Sequence, residues 1–279
     1  MPCALWVLYV SSVYSRGVRF FQRHVVPIQF AFTPSSGGKP HYALITSFLV
    51  SVRGVWLLLT AGHCIDDVQE NLDRGCSLTC WLVDCAGAGA KHREMLPFDW
   101  KGAEPARLFK DSNIDIGVVW VPELIRAALA ANKVEPFTEE AWDHDPPSPV
   151  EAYLMMGIPA ELAKPASPIS SLTPVALLVV PADSQPPEMD NELPGRWYGH
   201  VDVVPGLSDI TGMSGGPILA VARGSDGSQR YWLFAMQSAW HRQSRAIAAW
   251  PTRSALQALA ELIEDSAASS SEPPAPGGA

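Results

Sequence analysis

Proline is the residue that most limits what this chain can fold into. The 279 residues include 25 prolines, nearly twice the usual share of about 5%. Because proline lacks a backbone N–H and clashes with the preceding helical turn, long helices are interrupted along most of the chain. Between the prolines lie short apolar segments bounded by Gly, Pro, Ser and Asp, a pattern typical of strands and turns. We predict strands at 25–32, 42–50, 55–60, 78–83, 115–121, 150–157, 175–180, 197–203, 217–221 and 231–237.

Two segments favour helices instead. Segment 122–133 opens with a proline, which suits a first helical turn, and its Leu, Ile and Ala side chains form one apolar stripe. In segment 251–265, Thr252 can cap a helix whose apolar side chains share a face. We predict a connector helix between two strand-rich halves and a C-terminal helix on the core. Residues 266–279 are almost entirely Ser, Ala, Pro and Gly, so we expect them to be disordered.

Composition narrows the class of protein and of partner. Apolar residues make up 47% of the chain and charged residues 18%, which indicates a folded globular protein. The formal charge of −9, from 20 basic and 29 acidic residues, repels phosphate backbones and argues against nucleic acid as a partner. No apolar run reaches the roughly 18 to 20 residues of a spanning helix, so we expect no membrane interaction.

The cysteines indicate thiols rather than a disulfide framework. Their number is odd, five in all, and three of them, Cys76, Cys80 and Cys85, lie close together. Their spacing does not match the paired motif of a zinc site, so we predict no metal and no cofactor. The first residues also lack the basic start of a secretory signal. Together these features favour a cytoplasmic location over a secreted one.

Three short segments can carry chemistry. A hydroxyl nucleophile needs a base, a group that orients the base, and donors for the developing oxyanion. The segment LLTAGHC ends an apolar strand on His63, and NIDIGVV places Asp115 at the start of another, where a lone carboxylate is costly to bury. The segment GMSGGP places Ser214 in a glycine-rich turn, in which backbone N–H groups can point at a ligand.

In their order along the chain and in their short sequence motifs, these segments resemble those of the trypsin-like (chymotrypsin-fold) serine peptidases. The chain resembles a divergent, bacterial-type member of that family. TAGHC resembles the family's TAAHC, NIDIGVV its Asp-Ile-Ala-Leu strand, and GMSGGP its GxSGGP, within a likeness over roughly residues 25–250. The resemblance implies Ser214 as the nucleophile and His63 as general base and then acid. It implies Asp115 as the carboxylate that fixes the imidazole tautomer.

The resemblance also implies the surroundings of that triad. The backbone N–H groups of Gly212 and Ser214 would form the oxyanion hole, and Ser208 and Ser238 would contact the substrate. The reaction would be endopeptidase hydrolysis of a polypeptide substrate through an acyl-enzyme intermediate, with no metal or cofactor. The oligomeric state and the residue preferred at the cleavage site stay open.

The implied fold is all-β, with two antiparallel β-barrels, a short helix between them and a C-terminal helix. Its expected divisions are an N-terminal extension (1–24), a first barrel (25–120), a connector (121–147), a second barrel (148–250), a helix (251–265) and a disordered tail (266–279).

Three positions depart from the family pattern. Met213 stands where digestive members carry an aspartate that pairs with a freshly cut N-terminus, so we predict that no activating cut is needed. Residues 47–49 hold no cysteine to bridge to Cys64, which we expect to be a thiol. The position that forms the floor of the family's substrate pocket falls on Ser208, with Asp209 beside it. Both a neutral floor and an acidic floor are compatible with this sequence.

Two other functions are compatible with parts of the sequence. Gly-x-Ser-x-Gly also describes the nucleophile elbow of α/β-hydrolases, with Asp226 and His241 as downstream partners. The strand-rich pattern lacks the alternating helices which that fold requires. Alternatively, a trypsin-like domain could be catalytically latent and act as a binding or effector module.

Overall fold

The computed structural model describes residues 18–86, 95–146, 149–164, 171–189, 193–202, 207–224 and 226–270. Most of the predicted N-terminal extension and the end of the predicted tail lie outside these ranges. The chain is mostly β, with few helices. The described strands are β1 (Ile28–Thr33), β2 (His41–Ile45), β3 (Phe48–Val52), β4 (Val55–Thr60), β5 (Ser77–Val83), β6 (Met95–Pro97), β7 (Ala106–Leu108), β8 (Ile116–Trp120), β9 (Ala152–Gly157), β10 (Ala163–Lys164), β11 (Ser171–Leu172), β12 (Val175–Pro181), β13 (Trp197–Asp202), β14 (Pro217–Arg223), β15 (Gln229–His241) and β16 (Ala246–Pro251).

The described helices are α1 (Gly62–Asp73), α2 (Glu123–Ala131), α3 (Glu139–Trp142) and α4 (Arg253–Ser270), with 3₁₀ turns at Gln22–His24, Lys110–Ser112 and Ala160–Leu162. Helix α2 lies within the segment predicted to be the connector helix, after Pro122. Helix α4 continues to Ser270, beyond the predicted end at 265, so the start of the segment expected to be disordered is helical. No described helix is long and apolar enough to cross a membrane.

The second half of the chain forms a closed antiparallel barrel in the order β12-β13-β16-β15-β14-β9. Alternate side chains of these strands point inwards, and Met155, Val179, Ile218 and Ile247 are among those that pack in the interior. The pairing of β15 with β16 shifts register between Gln237 and Ala239. That bulge places Ser238 outside the regular ladder.

The closed barrel predicted for the first half, residues 25–120, is not seen in the described part of the chain. The described strands of this half form two four-stranded sheets, β2-β1-β5-β6 and β3-β4-β8-β7, which enclose an apolar core that includes Phe30, Leu58 and Val119. Strands β6 and β7, at the sheet edges, have three residues each and offer few ladder bonds for closure. Near β1 and β3 the sheets meet through an isolated bridge between Val25 and Phe48 instead of a continuous ladder.

One core joins the two halves and the last helix. It combines Phe48 and Leu59 from the first half, Met236 and Trp250 from the second, and Leu256 from α4. Burying such side chains contributes about 1.5 to 3 kcal/mol each. The two halves and α4 are therefore held together by shared packing.

Candidate active site

His63 lies where an apolar strand gives way to a helix. Strand β4 ends at Thr60, Ala61 has an extended conformation, and α1 begins at Gly62, so His63 is in the first helical turn. Backbone N–H groups there have no acceptor within the helix. The His63 N–H donates to Asp115 Oδ1 at 2.8 Å, so a carboxylate on another segment satisfies this donor.

Asp115 holds the ring of the same histidine. His63 Nδ1 and Asp115 Oδ2 are 2.8 Å apart, so both carboxylate oxygens contact one residue. Asp115 immediately precedes β8, and its side chain is only 14% exposed, against 44% for His63. This geometry places the Nδ1 proton towards Asp115 and leaves Nε2 as the ring nitrogen that can exchange a proton with a ligand.

The pair alters the pKa values of both groups. The hydrogen bond to Asp115, with a further contribution from the Cys64 thiol, raises the pKa of His63 above its ordinary value of 6.5. Burial works to raise the pKa of Asp115, but the bonds from His63 and the nearby Arg107 cation outweigh burial and lower it. Asp115 is therefore a stable anion at neutral pH, and it favours the imidazolium form of His63.

The turn around Ser214 packs on the strand that leads to His63. Gly215 has a φ of +88°, and a Cβ there would overlap Thr60 Oγ1 and the Thr46 carbonyl and lie 2.8 Å from Ala61 N. Only glycine fits both the conformation and the contact. The segments that carry Ser214 and His63 are thus in direct backbone contact.

Two threonines tie this turn to the first half. Thr46 Oγ1 donates to the Gly212 carbonyl at 2.7 Å and accepts from Ile158 N at 3.2 Å. Thr60 Oγ1 donates to the Thr46 carbonyl at 2.8 Å. These buried hydroxyls form a chain of hydrogen bonds from β4 to the Ser214 turn, a role that was not predicted from the sequence. Small polar residues at the ends of apolar strands are the signal that could have identified them.

Two backbone N–H groups of the Ser214 turn have no acceptor among the described residues. The Thr211 carbonyl accepts from Ala160 N at 2.7 Å, and the Met213 carbonyl accepts from Gly216 N at 2.8 Å. In a trans peptide the N–H is directed opposite to the C=O. The N–H groups of Gly212 and Ser214 therefore point away from these partners, and neither donates to an acceptor within the described part of the chain. Free donors of this kind can bind an oxyanion.

The Ser214 side chain is half-buried. Its hydroxyl hydrogen-bonds to none of the described residues. The structure thus joins His63 to Asp115 directly, and brings Ser214 close to them through backbone packing without a hydrogen bond to the imidazole.

The two residues predicted to contact substrate have other partners. Ser208 is exposed, and Glu161 accepts hydrogen bonds from its N at 2.7 Å and from its Oγ at 2.6 Å. The Ser238 side chain is buried; its Oγ accepts from Arg196 Nη2 at 2.9 Å and lies 3.3 Å from the Ala248 carbonyl. Both hydroxyls help to hold segments that flank the Ser214 turn.

Arg107 is another neighbour that sequence patterns do not reveal. Its Nη1 pairs with Asp66 Oδ2 of α1 at 2.5 Å. A Cβ at Gly62 would lie 2.9 Å from the Arg107 Cγ and Nε, so the stem of the arginine covers the residue before His63. The pair links β7 to the helix that carries the histidine.

The partners required by the α/β-hydrolase interpretation are bonded elsewhere. Asp226 accepts hydrogen bonds from Ser228, including one from its Oγ at 2.6 Å, and His241 Nδ1 contacts Ser244 Oγ at 2.9 Å. The strands around Ser214 form an antiparallel barrel instead of a parallel sheet with helices on both faces.

The cysteines and acidic groups form no metal centre in the described residues, where no cluster of three His, Cys, Asp or Glu side chains could hold an ion. The described cysteines, Cys64, Cys76, Cys80 and Cys85, are thiols.

Comparison with known proteins gives distant likeness only. No family model and no curated protein matches the chain. Among solved structures it is similar to the thermostable serine protease AL20 from an extremophilic microorganism, at 13% identity and a TM-score of 0.48, over 87% of this chain and 97% of that one.

Proposed function

We propose that the protein is a serine endopeptidase with Ser214, His63 and Asp115 as its catalytic triad. The observation that carries the proposal is the pair of 2.8 Å contacts between Asp115 and His63. His63 follows the end of β4, which packs against the Ser214 turn. An orienting carboxylate, an imidazole with one free nitrogen, and a hydroxyl beside free backbone donors are the parts that acyl transfer requires.

In the proposed reaction Ser214 Oγ attacks the substrate carbonyl carbon as His63 Nε2 takes its proton. The N–H groups of Gly212 and Ser214 stabilise the resulting oxyanion, and each such donor is worth about 3 to 4 kcal/mol. Collapse breaks the C–N bond, and His63 returns the proton to the leaving amine. Water, deprotonated by His63, then releases the acyl group and restores the Ser214 hydroxyl.

The proposal includes activity without an activating cut. Met213, the residue before Ser214, is fully buried within the barrel interior. An apolar side chain fixed in this way can hold the turn without an ion pair from a new N-terminus.

Two observations favour the latent alternative. The Ser214 hydroxyl lacks a hydrogen bond to His63 among the described residues, and Asp115 favours a protonated imidazole. A site held in that state would bind peptides without cleaving them, as a binding or effector module.

Covalent labelling separates these possibilities. Purified full-length protein is treated with a fluorophosphonate probe at pH 7 and at pH 9, beside the variants Ser214→Ala and His63→Ala. We expect labelling of the wild type, more rapid at pH 9, and none of either variant. Ser228→Ala and His241→Ala, which alter side chains bonded outside the site, serve as matched controls and should label normally.

Other results of the labelling experiment would favour the other functions. A folded wild type that is not labelled at either pH would favour the latent module. Labelling that survives His63→Ala but is lost in His241→Ala would favour the esterase interpretation. Cleavage of a fluorogenic peptide library by the wild type, absent in Ser214→Ala, would then establish peptide hydrolysis as the reaction.

A further inference from the structure

We propose that Trp240 limits the substrate residue whose carbonyl is attacked to a small, uncharged side chain. This inference rests on the proposed peptidase function and extends it to the substrate class. It comes from three residues that lie on the two segments beside Ser214: Trp240, Asp209 and Arg242.

The position of Ser214 defines where that substrate side chain must lie. A carbonyl carbon within bonding distance of Ser214 Oγ brings its own side chain within a few ångströms of the turn. One neighbour of the turn is the preceding segment, 207–213. The other is β15, because Gly215 N donates to the Gln237 carbonyl at 2.8 Å and Gln237 N donates to the Gly216 carbonyl at 2.9 Å. His63 and the end of β4 occupy a further side.

Trp240 spans the two flanking segments. It lies on β15 opposite Ile247, whose side chain points into the barrel. The indole packs against the interior cluster that includes Ile210 and Met213. Its Nε1 donates to Asp209 Oδ1 at 3.0 Å. The half-buried ring therefore bridges β15 and segment 207–213.

Asp209 already has partners within the chain with which a basic substrate side chain would have to compete. Its Oδ1 also accepts from Thr211 N at 3.0 Å and from Thr211 Oγ1 at 2.9 Å. Its Oδ2 lies 3.7 Å from Arg242 Nη1, which balances the charge. The neighbouring Ser208 is bonded to Glu161 on the far side of the segment. Lys or Arg of a substrate would therefore have to compete with Arg242 for this carboxylate.

With the indole between the two segments and Arg242 balancing Asp209, the recess beside Ser214 is small and nearly neutral. Gly, Ala or Ser next to the cleaved bond fits beside the indole. A Leu or Phe side chain would have to displace the ring and break its bond to Asp209, and a basic side chain would have to compete with Arg242 for Asp209.

The test uses fluorogenic tetrapeptides that differ only in the residue at the attacked carbonyl: Ala, Leu, Phe or Arg. Wild type, Trp240→Ala and Trp240→Phe are compared by kcat/KM. Trp120→Ala, which alters a tryptophan that is 49% exposed at the end of β8, is the matched control. We expect the wild type and the control to cleave after Ala about tenfold or more faster than after Phe. Trp240→Ala should raise cleavage after Phe at least about tenfold with little change after Ala.

Trp240→Phe and the peptide preference of the wild type are two further tests of the inference. Trp240→Phe retains bulk without the Nε1 donor, so it should keep the preference for Ala in part, even where Trp240→Ala folds poorly. A wild type that prefers Arg or Phe, or an Ala-to-Phe ratio unchanged in both Trp240 variants, would overturn the inference while the peptidase function stands. Absence of cleavage for every peptide, together with absence of fluorophosphonate labelling, would overturn both.

Discussion

The side chain of Met213 packs directly on the backbone of Gly157 in β9: a Cβ added to Gly157 would lie 3.1 Å from the Cβ and Cε of Met213. The residue before Ser214 is thus held by van der Waals contact inside the closed barrel. The position of the hydroxyl then depends on core packing, and a change in core volume should alter reactivity.

Met213→Ala should lower both stability and labelling. Removal of a fully buried methionine leaves a cavity, and such changes cost about 2 to 5 kcal/mol. We expect that loss in urea unfolding, and slower reaction with a fluorophosphonate under conditions where the variant is folded. Met213→Leu keeps the volume and should cost less than about 1.5 kcal/mol. Equal labelling rates for both variants and the wild type would disprove the link between packing and reactivity.

Gly215→Ala should disrupt the contact between the Ser214 turn and β4. The φ of +88° is strained for alanine, and its Cβ would overlap the Thr46 carbonyl and Thr60 Oγ1. Gly227→Ala is the matched control, because Gly227 has a φ of +79° and open space around its Cβ position. Both changes carry the backbone penalty of about 1 to 3 kcal/mol, but only Gly215→Ala should also abolish labelling. The measurement pairs denaturation midpoints with labelling rates, and equal effects would contradict this.

The pH dependence of the site should follow His63. Asp115 raises the pKa of His63 above 6.5, so the imidazole keeps its proton at neutral pH and becomes a general base only as the pH rises through the raised pKa. Labelling and kcat/KM should therefore increase with pH across an inflection above 6.5. Asp115→Asn removes the cause, so the inflection should move down while the rate falls by about 10⁴-fold. NMR titration of the His63 ring protons measures the pKa directly, and a value at or below 6.5 in the wild type would refute the assignment.

The raised pKa of His63 also affects the stability of the fold, which should decrease with pH while reactivity increases. A raised pKa in the folded state means that the His63–Asp115 pair stabilises the fold fully below pH 6.5, and that this contribution is lost as pH rises through the raised value. The reactive form of the site is thus the less stabilised one.

A buried histidine outside the candidate site should make the protein sensitive to acid. His24 is 2% exposed and stacks on Phe137 at 4.0 Å. Burial, assisted by Arg23 and opposed by the bond to the Glu135 carbonyl, lowers its pKa to about 4. The unfolded chain takes up this proton near pH 6.5, so stability should fall by up to about 3 kcal/mol between pH 6.5 and 4.

Unfolding of the wild type and of His24→Phe across this pH range measures that loss. Phenylalanine keeps the stacking partner of Phe137 and does not titrate, so the variant's free energy of unfolding should depend less on pH. Parallel curves for the two proteins would show that His24 does not contribute to the acid sensitivity.

The sequence predicted the parts of the site that are local in the chain. The apolar strand before His63, the carboxylate at the start of β8 and the glycine turn around Ser214 depend on neighbouring residues, and each lies where its pattern indicates. The excess of proline likewise predicted a chain that is mostly β. The connector and C-terminal helices follow from apolar periodicity, although the end of α4 at Ser270 does not.

Contacts between distant segments were not predictable in this way. Thr46 and Gly212 are 166 positions apart, and no pattern in either segment indicates the other. The bond between Asp209 and Trp240 likewise joins residues 31 positions apart. Among the described residues the first half forms two sheets instead of one closed barrel, and how distant strands pair at the sheet edges is not written in any local pattern.

The core shared by the two halves and α4 makes the site dependent on a distant helix. Leu256 and Ala260 of α4 pack in the same cluster as Leu59 and Ala61, which lead into His63. In native-state hydrogen exchange, α4 and strand β4 should therefore open together as one cooperative unit. A chain in which α4 detaches also loses the packing behind the segment that leads into His63, so the lifetime of the candidate site would be limited by this helix.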